Sequence, residues 1–163
     1  MRSPSKLKSK ALTHVDDSGA ARMVDVTSKE RTSREASAEA FVRCAPATIA
    51  LVRDRRVPKG DVLAVARIAG IAGAKRTPDL VPLCHPVALT GVDVDLDVND
   101  DGIRIVATAR AQDRTGVEME AMTAAGAAAL AVYDMLKSAE RGIEIVGWRL
   151  LSKSGGRSGE WTR

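Results

Sequence analysis

The sequence is poor in aromatics, in cysteine and in long apolar runs. Aromatic residues make up 2% of its 163 positions, with one Phe, one Tyr and two Trp. A core must therefore be assembled from Ala, Val, Ile and Leu, which let elements approach closely but supply few large anchors. Two cysteines, Cys44 and Cys84, and two histidines, His14 and His85, stand in no Cys-x-x-Cys or His-x-x-x-His spacing. That argues against a zinc centre, and no metal or other cofactor is expected. The start, Met1-Arg2-Ser3-Pro4-Ser5-Lys6, is basic but has no apolar h-region. With only two lone cysteines, the expectation is a reducing, cytoplasmic setting. The longest apolar run, Ala124 to Val132, falls far short of the ~20 residues of a membrane span, so no membrane partner is expected. Phosphate-loop order is missing as well. Lys153-Ser154-Gly155-Gly156-Arg157-Ser158-Gly159 lacks the Gly-x-x-x-x-Gly-Lys-Ser/Thr arrangement and a following helix.

What is present is a globular composition, 45% hydrophobic and 28% charged, with a net charge of +4 and a pI of about 9.3. The basic balance favours anionic ligands such as phosphates, nucleotides or nucleic acid. The first twenty or so residues read as a disordered tail. Met23–Val26 reads as a short strand. From Arg34 to Arg43, Ala36, Ala38, Ala40 and Val42 recur every second residue, which predicts a half-buried strand. Pro46 suits the first turn of a helix running to about Arg53. A second helix is expected from Lys59-Gly60-Asp61, capped by Asp61, to about Thr77-Pro78, followed by a loop from Asp79 to Pro86. Val92–Val98 and Ile103–Ala109 alternate around Asn99-Asp100-Asp101-Gly102 and predict a hairpin. A helix from about Glu118 to Ser138, a strand from Ile143 to Leu151 and a flexible tail from Ser152 to Gly159 complete the reading. The fold class is α+β: a mainly antiparallel sheet with helices on one face, ferredoxin-like in arrangement.

Several positions can carry chemistry. Asp134 and Lys137 lie three residues apart, so they share a helix face that continues the stripe Thr123, Ala127, Leu130. They are either a solvated ion pair at the helix end or a buried acid–base pair. Glu118 and Glu120 either suit the positive end of the same helix or accept hydrogen bonds from a guanine-like or pterin edge. Leu83-Cys84-His85, held between Pro82 and Pro86, is a prolyl-fixed loop whose histidine is a phosphate ligand, a general acid or a satisfied turn residue. Cys84 has no evident activating partner for a nucleophilic role. Lys59, Arg67, Lys75, Arg76, Lys153 and Arg157 either dress the surface or together neutralise a polyphosphate. Gly70-Ile71-Ala72-Gly73 before Lys75-Arg76 has the Gly-x-x-Gly form of an RNA-clamping loop, or is a closely packed helix. The RNA-binding alternative gives no reason for Glu118, Glu120 and Asp134, which repel phosphate.

Taken in order, these segments resemble the cyclic pyranopterin monophosphate synthase family, molybdenum cofactor biosynthesis protein C (MoaC). The matching stretches are Met23-Val24-Asp25-Val26, Arg34-Glu35-Ala36, Lys59-Gly60-Asp61-Val62, Ala66–Ile71 and Ala74-Lys75-Arg76-Thr77. They continue with Pro82–Pro86, Thr115–Ala121, Tyr133-Asp134-Met135 with Lys137, and Lys153-Ser154-Gly155-Gly156. The likeness covers about His14 to Gly159, leaving a basic tail over 1–13, one domain over 14–159 and a flexible C-terminus over 160–163. It implies a cytoplasmic lyase acting on 3′,8-cyclised dihydro-GTP, with no metal or cofactor. Asp134, Lys137 and Lys59 are the implied catalytic residues, Lys59 on a mobile loop. Leu83, Cys84, His85, Met119 and Glu120 are implied substrate contacts. Glu118, Arg67, Lys75, Arg76 and Lys153 join them as expected binding residues. The family assembles as a homohexamer, a trimer of dimers with sites at subunit interfaces, and no nucleic-acid partner is implied.

Overall fold

The computed structural model describes residue 15, residues 18–157 and residues 159–163. The expected tail over 1–13 lies outside the described residues. Four long strands and two long helices dominate. β1 (Thr32–Arg43) is followed by α1 (Pro46–Arg53), α2 (Val62–Lys75) and α3 (Thr77–Leu80). Next come the hairpin β2 (Leu89–Val98) and β3 (Gly102–Asp113), then α4 (Glu118–Leu136), β4 (Glu144–Ser154) and β5 (Trp161–Thr162). The sheet order is β2-β3-β1-β4-β5, every pairing antiparallel. Three helices separate β1 from β2 and one separates β3 from β4, with β3 and β1 inside the sheet, an α+β arrangement built on an antiparallel sheet as expected.

The period of two in β1 does what it predicts. Ala36, Ala38, Ala40 and Val42 are all buried, opposite Ala109, Ala107, Ile105 and Ile103 of β3. Small residues on this face let α4 lie close against the sheet, with Ala121, Ala124, Ala125, Ala128, Ala129 and Val132 buried. The other sheet face carries charge: Arg104 and Arg149 both grip Glu39, and Arg110 bridges Glu35 and Asp93. α2 packs on α4 at close range, since a Cβ on Gly73 would stand 2.6 Å from Ala127 Cβ and one on Gly70 would stand 3.0 Å from Ala124 O. The Gly-x-x-Gly sequence is therefore a helix-packing device inside α2 and forms no clamp loop.

Local signals explain the boundaries. Pro46 opens α1, and Asp61 Oδ1 caps α2 by accepting from Ala64 N at 3.0 Å. The 99–102 turn closes through Asn99 N to Gly102 O at 2.8 Å. Four expectations need correction. Met23–Val26 runs as irregular chain, with no strand ladder. Part of the expected 79–86 loop continues as the short helix α3. Ser152–Ser154, read as flexible from its Ser, Lys and Gly content, extends β4. The segment 160–163, expected as a flexible C-terminus beyond the domain, contains β5, which pairs with Ser152 and Lys153. Composition points to flexibility over Ser152–Ser154, and ladder pairing overrides it.

Candidate active site

The C-terminal end of α4 gathers the first group. Lys137 Nζ lies 2.7 Å from Asp134 Oδ1, and Lys59 Nζ lies 2.8 Å from Oδ2 and 2.7 Å from the Asp134 carbonyl oxygen. Lys137 arrives by helical spacing. Lys59 arrives from the connection between α1 and α2, turned by Gly60 at φ 97°, where a side chain would be strained. The three side chains are 39–55% exposed, so within one chain they form a half-open ion cluster and not a buried pair. Lys137 and Lys59, hydrogen-bonded to opposite oxygens, hold the Asp134 carboxyl down at about 2. In return Asp134 raises the Lys137 ammonium above its ordinary range. Asp134 is thus a fixed anion, and Lys137 carries its proton firmly.

The N-terminal end of α4 gathers the second group. Leu83, Cys84 and His85 join Val87, Thr115, Gly116, Glu118, Met119 and Glu120 around a cavity of about 350 Å³. Glu120 is 3% exposed. Burial, reinforced by the negative charges of Glu118 and Asp113, pushes its carboxyl up to about 7. It can therefore donate or accept a hydrogen bond near neutrality. Glu118 instead pairs with Lys153, whose Nζ lies 2.9 Å from Oε1. The His85 ring Nε2 sits 2.6 Å from Val24 O, tying the loop to the segment before β1. Burial and the same two glutamates raise the Cys84 thiol above its ordinary range, which disfavours the thiolate a nucleophile needs.

A third feature was not singled out by spacing. A cavity of about 680 Å³, sharing Thr115 and Gly116 with the second, is lined by Lys29, Arg34, Arg114 and Arg157 among others. Arg34 is clamped there: Nε donates to Asp113 O at 3.2 Å and Nη2 to Arg114 O at 3.3 Å. The Gly155-Gly156 turn passes directly over it, both glycines at positive φ. A Cβ on Gly155 would collide with Ser33 O, and one on Gly156 with the Arg34 guanidinium. Arg157 and the glycine pair were singled out in the sequence, and the pair shows as a close backbone approach only once Ser33 and Arg34 are placed beside it.

The remaining expected binding residues are dispersed. Arg67 is exposed, donates from Nε to Val94 O at 3.0 Å and lines a separate cavity of about 230 Å³ with Gly60 and Asp61. Lys75 and Arg76 stand exposed at the end of α2. Among the described residues, no hydrogen bond or ion pair joins either to Glu118, Glu120 or Asp134.

A family model described as the MoaC family matches residues 23–156. The cyclic pyranopterin monophosphate synthase of Streptomyces coelicolor is 58% identical over 152 residues, covering 93% of this chain and 89% of its own length. The cyclic pyranopterin monophosphate synthase 2 of Mycobacterium tuberculosis is 54% identical over 159 residues, with 98% and 95% covered. The cyclic pyranopterin monophosphate synthase of Rhodospirillum rubrum is 52% identical over 164 residues, covering 99% of both chains.

Proposed function

The chain belongs to the MoaC family, and from that premise we propose that it is an enzyme of molybdenum cofactor biosynthesis. It converts 3′,8-cyclised dihydro-GTP to cyclic pyranopterin monophosphate and releases pyrophosphate. The observation that carries the chemistry is the pair of ammonium groups on opposite oxygens of Asp134. In this reaction the five-membered ring of the purine opens, a pterin recloses, and a sugar hydroxyl attacks the α-phosphate. Each step moves protons and none needs a redox centre. Lys137, kept protonated by Asp134, serves as proton donor; Lys59 on the neighbouring loop relays a second proton; Asp134 orients both.

The cavity at the other end of α4 holds the base-derived ring. Glu118 and Glu120 face its amino and ring N–H groups, while Leu83, Cys84, His85 and Met119 shape the walls. The adjoining basic cavity, with Lys29, Arg34, Arg114 and Arg157, takes the triphosphate and stabilises the departing pyrophosphate.

These two ends cannot meet on one substrate within one chain. Glu118 and Asp134 are separated by about 24 Å of helix at 1.5 Å per residue, longer than the ligand. A second copy bringing its Asp134 cluster to the Glu118 end of the first would complete the site, and the separation supports a site at a subunit interface within a homohexameric trimer of dimers. Val65, Ile68 and Leu130 on the outer surfaces of α2 and α4 are 42%, 68% and 64% exposed, an apolar surface suited to such a contact. Among the described residues, no helix is long and apolar enough to cross a membrane, and the proposed place of action is the cytoplasm.

Incubating the purified protein with the cyclised substrate and identifying the product by mass spectrometry tests the activity. Asp134→Asn and Lys137→Ala should each lower turnover roughly 10²-fold or more, the scale of a lost general acid–base group, with melting temperature little changed. Near-normal turnover in both would remove the cluster from the chemistry.

A further inference from the structure

The two-residue strand β5 lies beyond residues 23–156, which the family model matches, yet it is seated beside Lys153. Trp161 pairs with Lys153 and Thr162 with Ser152. On its other side β4 pairs with β1 through Ala36↔Lys153, Ser37↔Ser152 and Ala38↔Leu150, so Leu151 is the extra residue of a bulge. Arg163 holds that bulge: its backbone N donates to Leu151 O and its Nε to Leu150 O, each at 2.9 Å. Its guanidinium also stands 5.7 Å from the centre of the Trp161 ring, a cation–π contact that ties the last residue to the strand.

The bulge decides where Lys153 points. Ala36 faces the core, and Lys153 opposite it shares that face, from which its Nζ reaches Glu118 at 2.9 Å. In a strand a slip of one residue turns every side chain to the other face. If β4 lost its extra residue against β1, Lys153 would turn to the outer sheet face, leaving Glu118 half-buried beside Glu120 without its cation. A two-residue strand contributes little stability by itself, but it sits at the one register that matters to this pair.

We propose that Trp161 and Arg163 are positioning residues that lock the β4 bulge and so aim Lys153 at Glu118 in the substrate cavity. The proposal rests on the reading of that cavity as the site for the base-derived ring. Its test is a cycle of Lys153→Ala, the double variant Trp161→Ala/Arg163→Ala, and the triple variant, each assayed for kcat and KM on the cyclised substrate. Lys153→Ala should raise KM about 10-fold or more, the scale of a lost charge-assisted hydrogen bond. The double variant should match it with kcat little changed, and the triple variant should be no worse than Lys153→Ala alone, because all act through one group. An unchanged KM in the double variant, or effects that multiply in the triple variant, would overturn the positioning role. Should the double variant not fold, Arg163→Ala alone, which keeps the β5 pairing and removes the bond to Leu150 O, gives the same comparison. A wild-type protein that makes no product would instead sink the functional reading beneath it.

Discussion

Glu120 offers a test that reads the cavity without substrate. Its carboxyl is displaced from 4.5 to about 7, chiefly by burial, so ionising it in the folded protein costs about 3 kcal/mol more than in the unfolded chain. The sign follows from proton counting. Between 4.5 and 7 the folded state keeps a proton that the unfolded state has released, so stability falls as pH rises through this window and levels off above it. Replacing the residue by Gln removes the ionisation and keeps the shape. Glu120→Gln should therefore gain on the wild type by about 3 kcal/mol between pH 4 and pH 8, or ~6–12 °C in melting temperature for a chain of this length. Urea unfolding of both proteins at several pH values measures the difference, in which the titration of all other carboxylates cancels. A difference that stays constant with pH to within about 1 kcal/mol would refute the buried, proton-holding state of Glu120 and its assignment as a switchable donor and acceptor.

Two further outcomes bear on packing and assembly. Gly73→Ala places a Cβ 2.6 Å from Ala127 Cβ and 3.2 Å from Thr123 O, neither on a flexible side chain, and should destabilise the protein by ~1–3 kcal/mol as overpacking does; denaturant midpoints check it, and a neutral result would refute the tight α2–α4 seam. Lys137→Ala and Glu118→Ala proteins, each inactive, should recover about a quarter of wild-type activity when unfolded together and refolded as mixed oligomers, because random pairing leaves that share of interface sites intact in a closed symmetric assembly. Persistent inactivity of the mixture would place both residues in one protomer's site.

What the sequence made legible was periodic. The alternation of Ala36 to Val42 and of Val92 to Val98, the Asp61 cap and the Pro46 start each became the expected element because burial and capping act over one or two turns of local chain. The pairing of Asp134 with Lys137 was legible for the same reason. The pairing of Lys59 with Asp134 was not: nothing local connects residues 75 positions apart, and only the family likeness gave Lys59 a catalytic role. The errors lie where pairing partners are distant. Ser152–Ser154 looks like a linker by composition, yet β1 on one side and β5 on the other supply the ladder that fixes it.

The basic cavity shows the same limit from the other direction. Lys29, Arg34, Arg114 and Arg157 come from the approach to β1, β1 itself, the turn after β3 and the tail after β4, so no spacing links them. Meanwhile Lys75 and Arg76, adjacent in sequence and basic, end on the exposed terminus of α2. Counting cations along the chain therefore picks out Arg157 but not Lys29, Arg34 and Arg114 that join it in the cavity, because charge density in sequence is set by solubility as much as by binding. What distinguishes Arg34 is that Nε and Nη2 donate to the carbonyls of Asp113 and Arg114, leaving other guanidinium N–H groups for a ligand, and that Gly156 surrenders its side chain to make room for it. A guanidinium fixed by backbone before any ligand arrives is preorganised charge, and preorganisation marks a binding site more surely than abundance.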